Sequence, residues 1–133
     1  MREVFILTVV WLVMAIGAQA QDTGIRDTID RQFEAFQADD FATAFGFASP
    51  DLQRFFETPE NFARMVTQGY PMVWRPGAVR YLEQREEGGS LLQRVMITDR
   101  SGKVHVLDYR MIRTPEGWRI SGVQFVTDNG ANV

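Results

Sequence analysis

At 133 residues with a formal net charge of −3, the chain has room for one hydrophobic core and lacks the basic surface on which non-specific nucleic-acid binding depends. It has no cysteine and a single histidine, so disulfide staples are excluded and a metal site would have to be built from carboxylates.

The opening stretch "MREVFILTVVWLVMAIGAQA" reads as a secretory signal peptide: Arg2 as the basic flank, an apolar run from Val4 to Ile16, and small residues at Ala18 and Ala20 before a cut ahead of Gln21. The run falls short of the ~20 apolar residues that span a bilayer, and it lacks a basic stop-transfer flank. The expectation is an exported chain, periplasmic or secreted, cleaved after Ala20 and free of the membrane from then on. Residues 21–133 are expected to form one domain that relies on its packed core.

Helices come first. In "GIRDTIDRQFEAFQADD", Ile25, Ile29, Phe33 and Phe36 are spaced by four, four and three, one apolar stripe on an amphipathic helix. Asp40 is a candidate cap for a second helix, in which Phe41, Ala44, Phe45 and Ala48 share a face. Ser49-Pro50-Asp51 and Thr58-Pro59-Glu60 each give a hydroxyl cap, a proline at the first helical position and an acid in the first turn. They predict helices from Pro50 to about Phe56 and from Pro59 to about Gln68, with Phe62, Met65 and Val66 facing inward. The stretch "YPMVWRPGA" reads as a break, because its two prolines oppose helix.

Strands follow, over residues 78–86, 91–99, 103–113 and 118–127, separated by "EGGS", "DRSG" and "TPEG". Helices segregated before an antiparallel meander give an α+β fold. If Gly102 and Gly117 close type I turns, Asp99 lies opposite Lys103 and Thr114 opposite Trp118. The core face then collects Leu91, Gln93, Val95 and Ile97, then His105, Leu107, Tyr109 and Met111, then Ser121, Val123 and Phe125. The other face collects Arg94, Met96 and Thr98, then Val104, Val106, Asp108, Arg110 and Ile112, then Trp118, Ile120 and Gln124. His105 and Asp108 therefore look to opposite sides and form no dyad. Asp108 reads as a cross-strand ion pair with Arg94, worth a fraction of a kcal/mol if exposed. The apolar residues of the outer face, Trp118 and Ile120 included, predict a homodimer through it, the alternative being a tolerated, partly exposed strand surface.

The stretches "IRDTIDRQFEAFQADDFATAFGFASPDLQRFF", "TPENFARMVTQGYPMVWRPGAV" and "MITDRSGKVHVLDYRMIRTPEGWRISGVQFV" resemble the bacterial family named domain of unknown function 4864. The order of elements resembles the wider nuclear-transport-factor-2-like superfamily, whose members wrap a curved sheet around helices as a cone with an internal pocket. The resemblance implies that fold and an exported bacterial context. It implies no activity, because the superfamily holds ketosteroid-isomerase-like and polyketide-cyclase-like enzymes as well as binding and scaffold domains.

Several chemistries find no support in the residues. Asp39-Asp40 and Glu86-Glu87 read as a helix boundary and an exposed turn, so no metal site is expected. Ser49, Ser90, Ser101 and Ser121 lie in no nucleophile turn, and no glycine loop cradles phosphate. No cofactor is expected. Two readings remain. The first is a non-catalytic binding or accessory module with a small internal pocket for an apolar ligand. Phe33, Phe36, Phe45, Phe62, Tyr70, Trp74 and Phe125 are enough to line it, although for most of them core filling is the better reading. The candidate ligand contacts are Tyr70, Trp74, Gln93, His105 and Tyr109. The second reading is a small lyase or isomerase, with His105 and Tyr109 as acid–base candidates. A pocket carboxylate within reach of His105 favours the enzyme. A dry, filled cone favours a structural or partner-binding role.

Overall fold

The computed structural model describes residues 23–127. The leader over residues 1–20 and the cut after Ala20 lie outside them. Helix α1 covers residues 23–37, and its stripe of Ile25, Ile29, Phe33 and Phe36 is buried throughout. Helices α2 (Phe41–Gly46), α3 (Pro50–Phe56) and α4 (Pro59–Gly69) begin at the three expected caps. Asp40 accepts from Thr43 N at 3.2 Å, Ser49 from Leu52 N at 3.3 Å and Thr58 from Asn61 N at 3.1 Å. Each side chain satisfies one of the backbone donors that a helix start leaves unpaired. The stretch read as a break holds a short helix, α5 (Pro71–Trp74). Pro71 occupies its first turn, where the missing N–H costs nothing.

Strands β1 (Pro76–Glu87), β2 (Ser90–Asp99), β3 (Val104–Thr114) and β4 (Gly117–Phe125) form one antiparallel sheet in the order β1-β2-β3-β4. The core lies between the helices and one sheet face, where Val95, Ile97, Leu107, Tyr109 and Met111 are fully buried. Helices laid on one side of an antiparallel meander make the α+β architecture that the sequence predicts, an arrangement compatible with the nuclear-transport-factor-2-like superfamily.

The β2–β3 register is the expected one, with Arg94 opposite Asp108 and Ile97 opposite His105. Gly102 closes the turn at φ 93°, a left-handed conformation that glycine adopts without steric cost. The β3–β4 hairpin departs from expectation. Thr114 pairs with Gly117 and Arg113 with Trp118, one residue out of the expected register. The cause is local: the Thr114 hydroxyl accepts from Glu116 N at 3.2 Å and donates to Gly117 O at 2.8 Å, which closes the turn two residues long. The extra residue moves along the strand to a bulge at Ser121, after which Tyr109 faces Val123 as expected.

This shift corrects the composition of both faces. Ile120 is opposite Met111 and only 3 % exposed, and Trp118 packs against the core instead of lying on the outer face. A Cβ on Gly24 would stand 2.9 Å from Trp118 Cδ1, so glycine is what lets α1 approach that ring. The outer face thereby loses the two largest apolar residues on which the homodimer expectation rested. Asp108 pairs with Arg94 as predicted, and its side chain is only 2 % exposed, so the small magnitude of an exposed pair does not apply. Arg94 grips it with Nε at 2.9 Å and Nη2 at 3.0 Å, and Arg85 adds a third bond at 3.2 Å.

Candidate functional site

Helices α1, α3 and α4 meet β3 and β4 around a cavity of about 330 Å³. Phe36, Phe62 and Val66 are buried in its wall, while Leu52, Phe56 and Met65 are half-buried towards its mouth. Leu52 and Phe56 are there because the Ser49 cap sets the start of α3 and a spacing of four puts both on one helix face. Next to them Phe55 is 75 % exposed, its ring edge-on to Phe56 with centroids 5.0 Å apart.

Of the lining side chains, those of Gln32, Tyr70 and Tyr109 carry polar atoms, and none carries a full charge. Gln32 donates from Nε2 to Ala44 O at 3.1 Å. Tyr70, at the end of α4, donates to Val123 O at 3.1 Å and stacks on Phe125, with centroids 5.0 Å apart and planes 4° from parallel. Tyr109 is different. Its side chain is fully buried, and its hydroxyl has no hydrogen-bond partner among the described residues. Burial, and secondarily the neighbouring Tyr70, push its pKa well above the ordinary tyrosine value, so the phenol stays neutral at physiological pH.

Two of the five expected ligand contacts, Tyr70 and Tyr109, therefore line the cavity. The other three lie outside its lining, each held by the protein itself. Trp74 donates from Nε1 to Asp39 Oδ1 at 2.9 Å and lies beneath the Arg75 guanidinium. Gln93 is buried where β1 bulges between Tyr81 and Gln84. It donates to Leu82 O at 3.1 Å and Arg94 O at 2.9 Å, and accepts from Gln84 Nε2 at 2.8 Å. His105 does find a carboxylate, since its Nε2 is 2.8 Å from Asp99 Oδ2, but this pair stands at the β2–β3 turn and not in the cavity. Asp99 also accepts from Ser101 Oγ at 2.6 Å and from Ser101 N and Lys103 N, and these bonds, that of Ser101 Oγ foremost, hold its pKa well below the usual carboxylate range. The pair closes a turn.

Among the aromatics, Phe36 and Phe62 line the cavity, Phe33 and Phe45 fill the core, and Phe125 is 47 % exposed outside the lining. Gln32, Leu52 and Phe56 line the cavity without being among the residues expected there. The i, i+4 pair in α3 was the available signal for the last two. Among the described residues no three His, Cys, Asp or Glu side chains stand together, and no helix is long and apolar enough to cross a membrane.

A family model described as Domain of unknown function (DUF4864) matches residues 18–133. The chain belongs to that family. No curated protein matches it. Among solved structures, a phospholipid-binding protein from Ralstonia solanacearum in complex with a phospholipid is similar at 13 % identity, covering 79 % of this DUF4864 chain and 77 % of that one with a TM-score of 0.49.

Proposed function

We propose that this DUF4864 domain is a non-catalytic binding module that holds a small, mainly apolar ligand in the cavity above Tyr109. The observation that carries this reading is the cavity itself, about 330 Å³ walled by Phe36, Leu52, Phe56, Phe62, Met65 and Val66. Sites for small ligands are concave and mainly apolar with a few polar groups in the lining, and this cavity has that character. Acid–base catalysis needs a group that exchanges protons near working pH within reach of the substrate. No carboxylate, histidine or lysine lines the cavity, and the His105–Asp99 pair lies elsewhere, so binding is favoured over the lyase or isomerase reading. The cavity also stands open, which separates this reading from a cone filled for structure alone.

The test is uptake of the neutral dye N-phenyl-1-naphthylamine, whose fluorescence rises in apolar surroundings. The unaltered protein is expected to bind it, and Val66→Phe, which fills the cavity from its buried wall, to lose most of that binding while keeping its near-UV circular dichroism. Equal uptake by both proteins would remove the cavity as the site.

Export and a homodimer complete the proposal. The leader's composition supports the first, and an intact mass beginning at Gln21 in the exported fraction is expected. Val104, Val106, Met96 and Ile112 on the outer face support the second. Sedimentation equilibrium should give twice the chain mass, and a monomer at micromolar concentration would end that part.

A further inference from the structure

Resting on the binding reading above, we propose that Gln32 sets the selectivity of the cavity. Its amide takes a hydroxyl group, so the site holds a neutral, mainly hydrocarbon alcohol in preference to the matching ketone or carboxylate.

Gln32 stands on the buried face of α1, one turn before Phe36, and is only 5 % exposed. A carboxamide offers two N–H groups and a carbonyl oxygen with two lone pairs. Of these the protein uses one N–H, which Nε2 donates to Ala44 O at 3.1 Å. That bond also fixes the amide's orientation, because a backbone carbonyl can accept only from the NH2 end. Oε1 accepts nothing from the described residues, and the second N–H is unspent as well. The unpaired polar side-chain atoms sealed within the described residues are Tyr109 Oη and Trp118 Nε1. Gln32 Oε1 is not among them, so it keeps accessible surface, and the opening that Gln32 borders is the cavity. The bond to Ala44 O does not by itself explain a glutamine here. Ala44 O already accepts from Phe47 N at 3.2 Å, the bond that ends α2. A buried amide that rescues no orphan group costs desolvation and returns little, unless a ligand uses its free edge.

That edge presents an acceptor beside a donor. A hydroxyl matches both, since it donates to Oε1 and can accept the second N–H. A ketone accepts only, and leaves Oε1 bare. A carboxylate also leaves Oε1 bare, and it would give up water without a counter-charge, because no Arg, Lys or His lines the cavity. An ammonium could donate to Oε1, but no Asp or Glu stands in the lining to offset its loss of water. The Tyr70 hydroxyl does not alter this balance, because it donates to Val123 O. Size sets the scale of the molecule, because about 330 Å³ lies at the small end of ligand pockets.

The experiment is calorimetric titration of the full chain with octan-1-ol, octan-2-one and octanoate, each below its solubility limit, at about pH 8, where a carboxylic acid is ionised. The alcohol is expected to bind about five- to tenfold more tightly than the ketone, and octanoate more weakly than either. In Gln32→Leu, which keeps a side chain of similar size, the alcohol is expected to fall to within about twofold of the ketone. Near-UV circular dichroism checks that the variant folds, and the ranking on the unaltered protein does not depend on it. Alcohol and ketone binding equally to the unaltered protein would overturn the hydroxyl class. An alcohol preference that survives Gln32→Leu would overturn the role of Gln32. Octanoate binding as tightly as the alcohol would overturn the exclusion of ions. Dye uptake with no binding of any probe would overturn this inference and leave the cavity as a site. No dye uptake and no probe binding would take down the binding reading itself.

Discussion

A phenol buried without a partner gives up its hydrogen bonds to water on folding and recovers none. Tyr109→Phe keeps the ring that packs against Phe33, centroids 6.4 Å apart, and deletes only the orphan hydroxyl. The variant is therefore expected to be more stable than the parent, by about 1 kcal/mol, read as a higher urea midpoint at unchanged slope. A loss of stability would mean that the hydroxyl has a partner in the ligand-free protein. Asp108 is the opposite case, a buried carboxylate that accepts three hydrogen bonds from two arginines. Asp108→Asn keeps the shape but removes the charge that two arginines surround, and is expected to cost about 2–3 kcal/mol in the same measurement. That is below the range for fully enclosed pairs, because Arg85 remains 41 % exposed.

At the scale of elements, α3 is short, carries the cavity mouth and contains no fully buried residue, so its cap matters more than usual. Ser49→Ala should cost about 1–2 kcal/mol and weaken dye binding, because Leu52 and Phe56 lose their anchor. A change below about 0.5 kcal/mol would show that the backbone bond from Ser49 N to Ile120 O, 2.8 Å long, holds the helix start alone. The caps at Asp40, Ser49 and Thr58 were legible because each signal lies within three residues of its effect. The β2–β3 register was legible for the same reason, through Gly102. The β3–β4 register was not, because the Thr114 hydroxyl tightened the turn and moved the extra residue to Ser121. Short α5 was hidden by prolines that start helices as readily as they end them. Tyr70 and Tyr109 could be placed from helix end and strand face. Trp74 could not, since its partner Asp39 is 35 residues away, and neither could Gln93, whose role appears only once β1 bulges.

For the whole molecule, Asp99 and Asp108 both have pKa values lowered by their hydrogen bonds, chiefly those from Ser101 and Arg94. Carboxylates of this kind stabilise the fold fully above their unfolded value of about 4, and the contribution is lost as pH falls through the lower folded values. Urea midpoints should therefore hold steady from about pH 7 to pH 5 and drop below about pH 4, with a shallower drop in Asp108→Asn. An acid limb of equal steepness in both proteins would show that other carboxylates carry it. The bulge pinned by Gln93 acts on the same scale. Strand β1 is an edge of the sheet, twelve residues long, and an edge of that length offers unpaired N–H and C=O groups to any neighbouring molecule. The bulge bends this edge away from the flat geometry that such pairing requires, and Arg80, Glu83, Arg85, Glu86 and Glu87 add charge along it. Gln93→Val removes the side chain that bonds the Leu82 and Arg94 carbonyls and allows the strand to straighten. Light scattering on heating should then rise several degrees earlier relative to unfolding than in the parent. A residue buried in the sheet thus governs how crowded copies of the chain treat one another, and the molecule is kept from becoming a template for its own aggregation.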